Sequence, residues 1–313
     1  MFKTKHAAAA GPTQPEAGLK KEYSPRRRFY WLKLWAFFSA TLALGFYAVA
    51  APIFHKDLLY KVLFTAAKYP CAWQDITYIN GSKGQDHFFK ADNGLTLHGV
   101  FFKKPGAKKL ILFHHGKGLN LTCCRQILEH LLTDDYSVFL YDYEGFGKSE
   151  GDTSIAALDR DALAATDFVC RKLGFAYQSI VHCGGSLGTA PAAKAAIYKP
   201  CAGLILLDPY VSLYRVGREN IPPLWLYPDF LMPESDEGCY ESIRKLRAPL
   251  LIVHGSRDDL ISVAHSDILS KTATSKVIYA RLEGAGHCGQ QFVDDPRFDK
   301  ALKPFLKSLP PNS

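Results

Sequence analysis

The chain has 313 residues and a formal net charge of +8, which is long enough for one large domain with an appendage. Residues 1–33 hold eight Lys or Arg against Glu16 and Glu22, so this short stretch carries most of the excess charge. Nucleic-acid binding requires a basic face on the folded domain. The distribution of charge therefore predicts no nucleic-acid partner.

The N-terminal region has the pattern of a membrane anchor. Residues 1–28 are basic and rich in Pro and Gly, which predicts a disordered segment. Residues 29–54 follow with a single charge, at Lys33, and a span needs about 20 apolar residues. The sequence therefore predicts a single-pass helix. Because more basic residues precede this stretch than follow it, its N-terminus would be cytoplasmic, and the rest of the chain would be periplasmic, extracellular or lumenal.

Cleavage of the same stretch is the alternative that remains open. Ala48-Val49-Ala50 before Ala51 fits a signal-peptidase site, and Arg26-Arg27-Arg28 faintly resembles a twin-arginine signal. Either interpretation exports the domain. Residues 55–74 are predicted to form a linker or juxtamembrane helix, because apolar residues recur at helical spacing from Leu58 to Ala66. Such a helix would extend the anchor or lie on the membrane surface.

From residue 75 to residue 313 apolar strands alternate with helical patterns. Strands are predicted at 97–102, 109–114, 137–141, 179–183, 203–207, 250–254 and 276–280. Helices are predicted near 120–132, 155–173, 187–199, 262–271 and 297–308. This alternation predicts an α/β fold, with a mostly parallel sheet flanked by helices.

An insertion at about 210–242 interrupts the alternation and is predicted to form a cap. It is rich in aromatic side chains, which we predict to bind an apolar substrate: Tyr210, Tyr214, Trp225, Tyr227 and Phe230. The alternative is that these rings only pack the cap onto the core.

The most informative motif is Gly184-Gly185-Ser186-Leu187-Gly188, which lies between a predicted strand and an alanine-rich helix. A G-x-S-x-G sequence at such a turn is typical of a nucleophile elbow. The serine there adopts a strained backbone conformation, so its neighbours need to be nearly free of side chains. The motif predicts Ser186 as a nucleophile.

Two partners for this serine follow in the required order. Asp258 comes just after the strand at 250–254, and His287 lies on a glycine-rich loop after the strand at 276–280. Serine needs an adjacent base, and the base needs a carboxylate that holds its tautomer. The order Ser, Asp, His therefore predicts a catalytic triad. Asp208 and Asp259 are the rival acids.

Five ordered motifs together carry a family resemblance. They are the elbow, His115-Gly116, the run from Tyr141 to Ser149, the run from His254 to Asp258, and Gly284-Ala285-Gly286-His287. The chain resembles the α/β-hydrolase superfamily from about Asp75 to Leu309. Within it, the chain is most similar to membrane-anchored serine hydrolases with a single abhydrolase domain, of the serine aminopeptidase-like or esterase type.

The resemblance implies an oxyanion hole made by the backbone N–H groups of Leu187 and Lys117. Relatives often have a small, polar or aromatic residue where Lys117 stands. A lysine there favours an anionic substrate, or it is simply a solvated loop side chain. The backbone donor is present with any side chain.

These observations predict a serine hydrolase that cleaves esters or thioesters of lipophilic acyl groups through an acyl-enzyme. The substrate would be a small molecule or a lipid-derived acyl group, with no metal and no cofactor. No spacing among the eight cysteines suggests a zinc site. Two alternatives remain: an aminopeptidase-like amidase on the same triad, and a non-catalytic binding protein that keeps the fold.

Overall fold

The computed structural model describes residues 25–66, 76–118 and 120–310. The chain divides after Ala50 into two compact units, which are described separately. Most of the predicted disordered segment and the end of the predicted linker lie outside the described residues.

The N-terminal unit contains one described helix, α1 (Pro25–Val49), which begins at a proline, a residue favoured at the first helical position. Within it, Phe29–Val49 has a mean hydropathy of 1.5 and none of it is buried. By length and composition this helix could cross a membrane, although a signal sequence would meet the same criteria. The helix ends five residues before the predicted end of the span at Phe54. Pro52–Phe54 forms a separate 3-10 turn, because proline lacks the N–H that would continue the helix.

The second unit, Ala51–Ser313, is built on a nine-stranded sheet with the order β1-β2-β3-β5-β4-β6-β7-β8-β9. Strands β3 to β9 pair in parallel except for the antiparallel pair β3–β5, and β1 and β2 extend the sheet in antiparallel fashion. The strands are β1 (Tyr78–Ile79), β2 (Ser82–Lys90), β3 (Thr96–Phe102), β4 (Lys109–His114), β5 (Tyr136–Tyr141), β6 (Ile180–Gly185), β7 (Gly203–Leu207), β8 (Leu250–Gly255) and β9 (Val277–Leu282).

Helices cover both faces of this sheet. They are α2 (Lys56–Phe64), α3 (Arg125–Leu131), α4 (Ile155–Arg171), α5 (Thr189–Tyr198), α6 (Leu213–Asn220), α7 (Gly238–Lys245), α8 (Ala264–Thr272), α9 (Gln290–Val293) and α10 (Pro296–Ser308). The predicted mostly parallel α/β architecture is confirmed. The predicted helix at 120–132 is shorter, because Leu121–Cys123 forms a 3-10 turn before α3.

The central strands explain why the sequence shows this fold. All residues of β5, β6, β7 and β8 are buried, so these strands appear as continuous apolar runs, as parallel strands covered on both faces do. Strand β2 was not predicted. Most of its residues are exposed or half-buried, because it lies near the edge of the sheet, and its polar sequence gives no apolar pattern.

The predicted cap consists of α6, α7 and two 3-10 turns between them, Leu224–Leu226 and Asp229–Leu231. It follows β7 at the carboxyl edge of the sheet. Open α/β sheets place their sites at this edge. The cap therefore stands next to the ends of β6, β8 and β9, which carry the residues of the predicted triad.

Candidate active site

The turn after β6 holds Ser186 in a strained conformation. Ser186 has φ of +51°, in the left-handed region, which costs about 1–3 kcal/mol for a residue with a side chain. A Cβ on Gly184 would collide with the backbone of Gly188 and Thr189, and one on Gly188 would collide with the carbonyl of His114. The two glycines let β6, the turn and the neighbouring strand end approach one another, and this close packing holds the serine in place.

The three residues predicted as a triad come together. His287 Nε2 lies 2.8 Å from Ser186 Oγ, and His287 Nδ1 lies 2.6 Å from Asp258 Oδ2. We assign the Nδ1 proton to the Asp258 hydrogen bond, which leaves Nε2 to accept from the serine hydroxyl. Asp258 Oδ1 accepts from the amides of Leu260 and Ile261 at 2.9 and 2.8 Å. The carboxylate is therefore fixed by the backbone at one oxygen and by the imidazole at the other.

A second buried carboxylate stands beside this group. Asp208 follows β7 with φ of +48° and is fully buried. Its Oδ1 accepts from the Gly255 amide at 2.9 Å, and its Oδ2 accepts from the Cys288 amide at 2.6 Å. The Oδ2 atom lies 3.7 Å from His287 Nδ1. Asp258 makes the shorter contact with the imidazole, and the other rival acid, Asp259, is exposed.

His254 lies behind the triad. It is fully buried, and its Nε2 atom donates to the Ile261 carbonyl at 2.9 Å and lies 3.3 Å from Asp258 Oδ2. Its Nδ1 atom is 2.6 Å from Ser266 Oγ. The sequence places His254 in a motif but does not indicate its contact with Asp258. Its position at the end of β8, four residues before Asp258, is the only signal that could have indicated it.

The charges around His287 favour its protonated form. Burial alone would lower the pKa of His287, but the hydrogen bond and charge of Asp258, together with the charge of Asp208, raise it above the usual 6.5. Burial also opposes ionisation of Asp258, yet hydrogen bonds from His254 and His287 hold its pKa below the usual range. Burial raises the pKa of Asp208, against the opposing effects of His254 and His287. The site is thus organised to stabilise an imidazolium.

The two loops that carry the predicted oxyanion donors are fixed by polar contacts. Tyr143 Oη donates to the His115 carbonyl at 3.2 Å, and Asp142 Oδ1 accepts from the Leu121 amide at 2.8 Å, so the loop of Lys117 is held at both ends. Tyr210 Oη donates to the Leu187 carbonyl at 3.1 Å. Lys117 and Ser186 line the same cavity, and Leu187 directly follows Ser186. The oxyanion hole itself stays a prediction.

A cavity of about 310 Å³ opens onto Ser186 and is lined mostly by apolar side chains. Besides Ser186 and His287, its lining residues are Phe113, Gly116, Lys117, Cys123, Cys124, Gln126, Ile127, Gly185, Leu207, Leu260, Cys288, Phe292 and Val293. The cavity therefore runs towards α3 and α9.

The five cap aromatics predicted to bind substrate do not line this cavity. Tyr210, Tyr214 and Tyr227 are buried, as in the alternative in which they pack the cap. Trp225 and Phe230 are instead 65% and 77% exposed. Trp225 and Phe230 lie on 3-10 turns of three residues, so the sequence had no regular period that could indicate which way their rings point.

Two sets of side chains near the triad have donor atoms within 4.8 Å of one another, as a metal ion requires: Asp208 with His254 and Asp258, and Asp208 with His287 and Cys288. Their carboxylate oxygens already accept hydrogen bonds from His287 and from backbone amides. Both sets therefore belong to the hydrogen-bond network around His287 and Asp258.

Sequence comparison relates the chain to known proteins. A family model described as serine aminopeptidase, S33, matches residues 105–226. The alpha/beta hydrolase domain-containing protein 17C of Xenopus tropicalis is 29% identical over 227 residues, covering 72% of this chain and 70% of that protein. An uncharacterized protein of Mycobacterium tuberculosis is 28% identical over 225 residues, covering 71% and 79%.

Solved structures share the fold. An esterase of Pyrococcus furiosus superimposes with a TM-score of 0.65 at 17% identity, covering 78% of this chain and 97% of its own. An acetyl xylan esterase from Paenibacillus superimposes with a TM-score of 0.59 at 16% identity, covering 76% and 87%. At these identities the likeness concerns the fold alone.

Proposed function

We propose that the chain is a serine hydrolase of the α/β-hydrolase superfamily, which it resembles in its family-model match, its relatives and its fold. In this proposal it cleaves esters or thioesters of lipophilic acyl groups. The observation that carries this proposal is the unbroken series of contacts from Ser186 through His287 to Asp258, at 2.8 and 2.6 Å. This is the arrangement that activates a serine by general base catalysis.

The mechanism begins when Ser186 Oγ attacks the acyl carbonyl carbon and His287 Nε2 takes the hydroxyl proton. The backbone N–H groups of Leu187 and Lys117 would stabilise the developing oxyanion, a contribution of about 3–4 kcal/mol per donor in comparable sites. His287 then donates its proton to the leaving alcohol or thiol, and an acyl-enzyme remains. Water attacks this ester with His287 again as the base, which releases the acid and restores Ser186.

The cavity supports a lipophilic acyl group. Its volume of about 310 Å³ is roughly twice that of an engineered apolar cavity of about 150 Å³ that binds benzene. By this comparison it holds at most about a dozen carbon atoms. Each buried methylene would contribute about 0.8 kcal/mol, so the acyl chain supplies most of the binding energy.

An aminopeptidase-like amidase is the second candidate, and the name of the matched S33 family favours it. An aminopeptidase has to bind the ammonium group of its substrate. Among the described residues that line the cavity there is no Asp or Glu, and the cation Lys117 is present instead. The charge of the cavity therefore favours an ester over a free aminoacyl amide. The Lys117 cation would also attract an anionic substituent on the substrate.

We further propose that α1 anchors the enzyme in a membrane as a single-pass helix, with the N-terminus cytoplasmic and the hydrolase domain on the other side. The apolar stretch Phe29–Val49 supports the span, and the basic residues before it support the orientation.

The test of the proposed activity is a comparison of substrates. The detergent-solubilised protein is assayed on p-nitrophenyl esters from acetyl to dodecanoyl and on aminoacyl p-nitroanilides. We expect ester cleavage that improves with chain length. Faster cleavage of the anilides would support the amidase, and hydrolysis of neither by a folded protein would support a non-catalytic binding protein.

A further inference from the structure

The exposed apolar side chains of the Ala51–Ser313 unit are concentrated in one region. Ten large hydrophobic side chains of its described residues are exposed, and seven of them lie within residues 53–62 or 225–230. Phe54, Leu58, Trp225 and Phe230 are each at least 65% exposed. Contiguous apolar patches on a soluble surface usually mark an interaction site. We call the exposed side chains of these two segments the apolar face.

The two segments are neighbours because both pack on α6. A Cβ at Gly217, in the middle of α6, would lie 3.4 Å from Leu63 of α2 and 3.4 Å from Leu224 of the adjoining 3-10 turn. The Lys56 ammonium at the start of α2 also pairs with Glu234 of the cap at 2.8 Å. Helix α2 and the turn before Tyr227 therefore flank one helix, and their outer side chains belong to one surface.

The chemistry of this face fits a lipid surface. Helix α2 buries Leu59 and Leu63, with Leu63 next to Gly217 of α6, and exposes Leu58 and Val62 on another side, so it is apolar on two sides. An amphipathic helix that packs only on its own domain needs only one apolar side. Trp225 adds an amphipathic ring of the kind that is enriched at membrane interfaces.

The apolar face begins close in sequence to the end of α1. The apolar helix α1 ends at Val49, and Phe54 follows five residues later. Five residues reach at most about 18 Å even when fully extended. Any bilayer that takes up α1 therefore keeps the start of the apolar face within that reach of the bilayer.

We propose that the apolar face rests in the headgroup region of the membrane that α1 crosses. The cap that carries part of this face is joined to the nucleophile turn by the hydrogen bond from Tyr210 Oη to the Leu187 carbonyl. With the cap in contact with lipid, the enzyme takes its acyl substrate from the lipid phase. This last consequence rests on the proposed ester hydrolysis, whereas membrane contact by the face does not.

The direct test is quenching of Trp225 fluorescence in the full chain reconstituted into liposomes. Trp31, Trp35 and Trp73 are replaced by Phe, so that Trp225 is the only tryptophan. Phosphatidylcholine brominated near the top of its acyl chains should then quench most of the emission, and aqueous acrylamide should quench little. The matched control carries Phe88→Trp in a background with all four tryptophans replaced by Phe. Phe88 is 58% exposed on β2, and the control should show the opposite pattern.

Quenching of Trp225 by acrylamide alone, as at position 88, would overturn the proposal. Protection from both quenchers would overturn it as well. In that case a protein or a second copy of the chain covers the face, and crosslinking would distinguish these two occupants.

A second test measures whether the apolar face helps the enzyme to take substrate from the bilayer. Trp225→Glu with Phe230→Glu should lower the cleavage of a long-chain ester dispersed in the same liposomes by at least about fivefold, because membrane contact scales with buried apolar area. Cleavage of a water-soluble butyryl ester should stay within about twofold, and Phe88→Glu should change neither rate. If the double variant also loses the butyryl activity, Leu58→Glu on α2 replaces it.

Equal rates of the Trp225/Phe230 variant and the wild type on the dispersed ester would contradict uptake from the bilayer. If the wild type cleaves neither ester, the proposed function has failed. The quenching result then still decides whether the face contacts lipid.

Discussion

Asp208 Oδ2 accepts a hydrogen bond from the backbone N–H of Cys288 at 2.6 Å. Cys288 directly follows His287 in the chain, so this buried carboxylate ties the loop of the proposed base to the end of β7. Asp258 holds the imidazole itself, at 2.6 Å from Nδ1. The two carboxylates thus have different tasks: Asp258 fixes the tautomer of His287, and Asp208 fixes the position of its loop.

This division predicts different effects of the two Asp→Asn changes. Asp258→Asn removes the anion that stabilises the imidazolium and presents the wrong partner to Nδ1, which costs about 10⁴-fold in kcat in a comparable triad. Asp208→Asn keeps one acceptor oxygen and loses one of the two buried hydrogen bonds from the amides of Gly255 and Cys288, which costs about 1–3 kcal/mol of folding stability. Its kcat should fall by only about tenfold. The measurements are kcat on a p-nitrophenyl ester and thermal unfolding.

The reverse order of effects would contradict this assignment. A nearly silent Asp258→Asn together with an inactive but folded Asp208→Asn would make Asp208 the triad acid. Asp259→Asn is the matched control, because Asp259 is exposed and adjacent in sequence, and it should keep wild-type activity.

A second prediction concerns pH. His287 has to be neutral to take the serine proton, so kcat/KM should rise with pH through the pKa of His287. The negative charge of Asp208 helps to raise that pKa. Asp208→Asn should therefore lower the pKa and move the acidic limb of the pH–rate profile to lower pH. The profile is measured at constant ionic strength, with Asp259→Asn for comparison. A limb that stays in place or moves to higher pH would contradict the electrostatic role of Asp208.

A third prediction places the acyl chain between α3 and α9 rather than under the cap aromatics. Ile127 lines the cavity from α3, so Ile127→Trp should fill part of the acyl site. Cleavage of a decanoyl ester should fall by at least about tenfold while an acetyl ester is spared, since two lost methylene contacts alone correspond to about that factor.

The control for this prediction is Trp225→Ala in detergent. Trp225 does not line the cavity, so the dependence on chain length should stay as in the wild type. If Trp225→Ala shortened the preferred acyl chain and Ile127→Trp left it unchanged, the acyl chain would bind at the cap instead.

The contacts among Ser186, His287 and Asp258 could be predicted because each residue occupies a local pattern. Ser186 lies between a buried strand and a helix, and Asp258 and His287 follow strands that are visible as apolar runs. The contacts of Asp208 were not predictable, because it meets the Cys288 amide 80 residues away in sequence, and only the sheet order brings β7 beside β8. The exposure of the Phe230 side chain was not predictable either, because a 3-10 turn of three residues has no periodic face.

A fourth prediction concerns topology. If α1 is an uncleaved anchor with a cytoplasmic N-terminus, protease added outside intact cells, or outside spheroplasts, should digest the hydrolase domain without permeabilisation. The purified protein should keep residues before Ala51 on N-terminal sequencing. A mature N-terminus at Ala51 would mean that the helix is a signal peptide. Protection of the domain until the membrane is permeabilised would contradict the orientation.

The central claim is that Ser186 is the nucleophile of a working hydrolase. Labelling with an active-site-directed fluorophosphonate, followed by peptide mass mapping, tests it most directly. We predict one modified residue, Ser186, labelling that a long-chain ester substrate slows, and no labelling in a folded Ser186→Ala variant. Labelling of Ser186→Ala at the wild-type rate, or modification at a different residue that abolishes ester cleavage, would contradict the account.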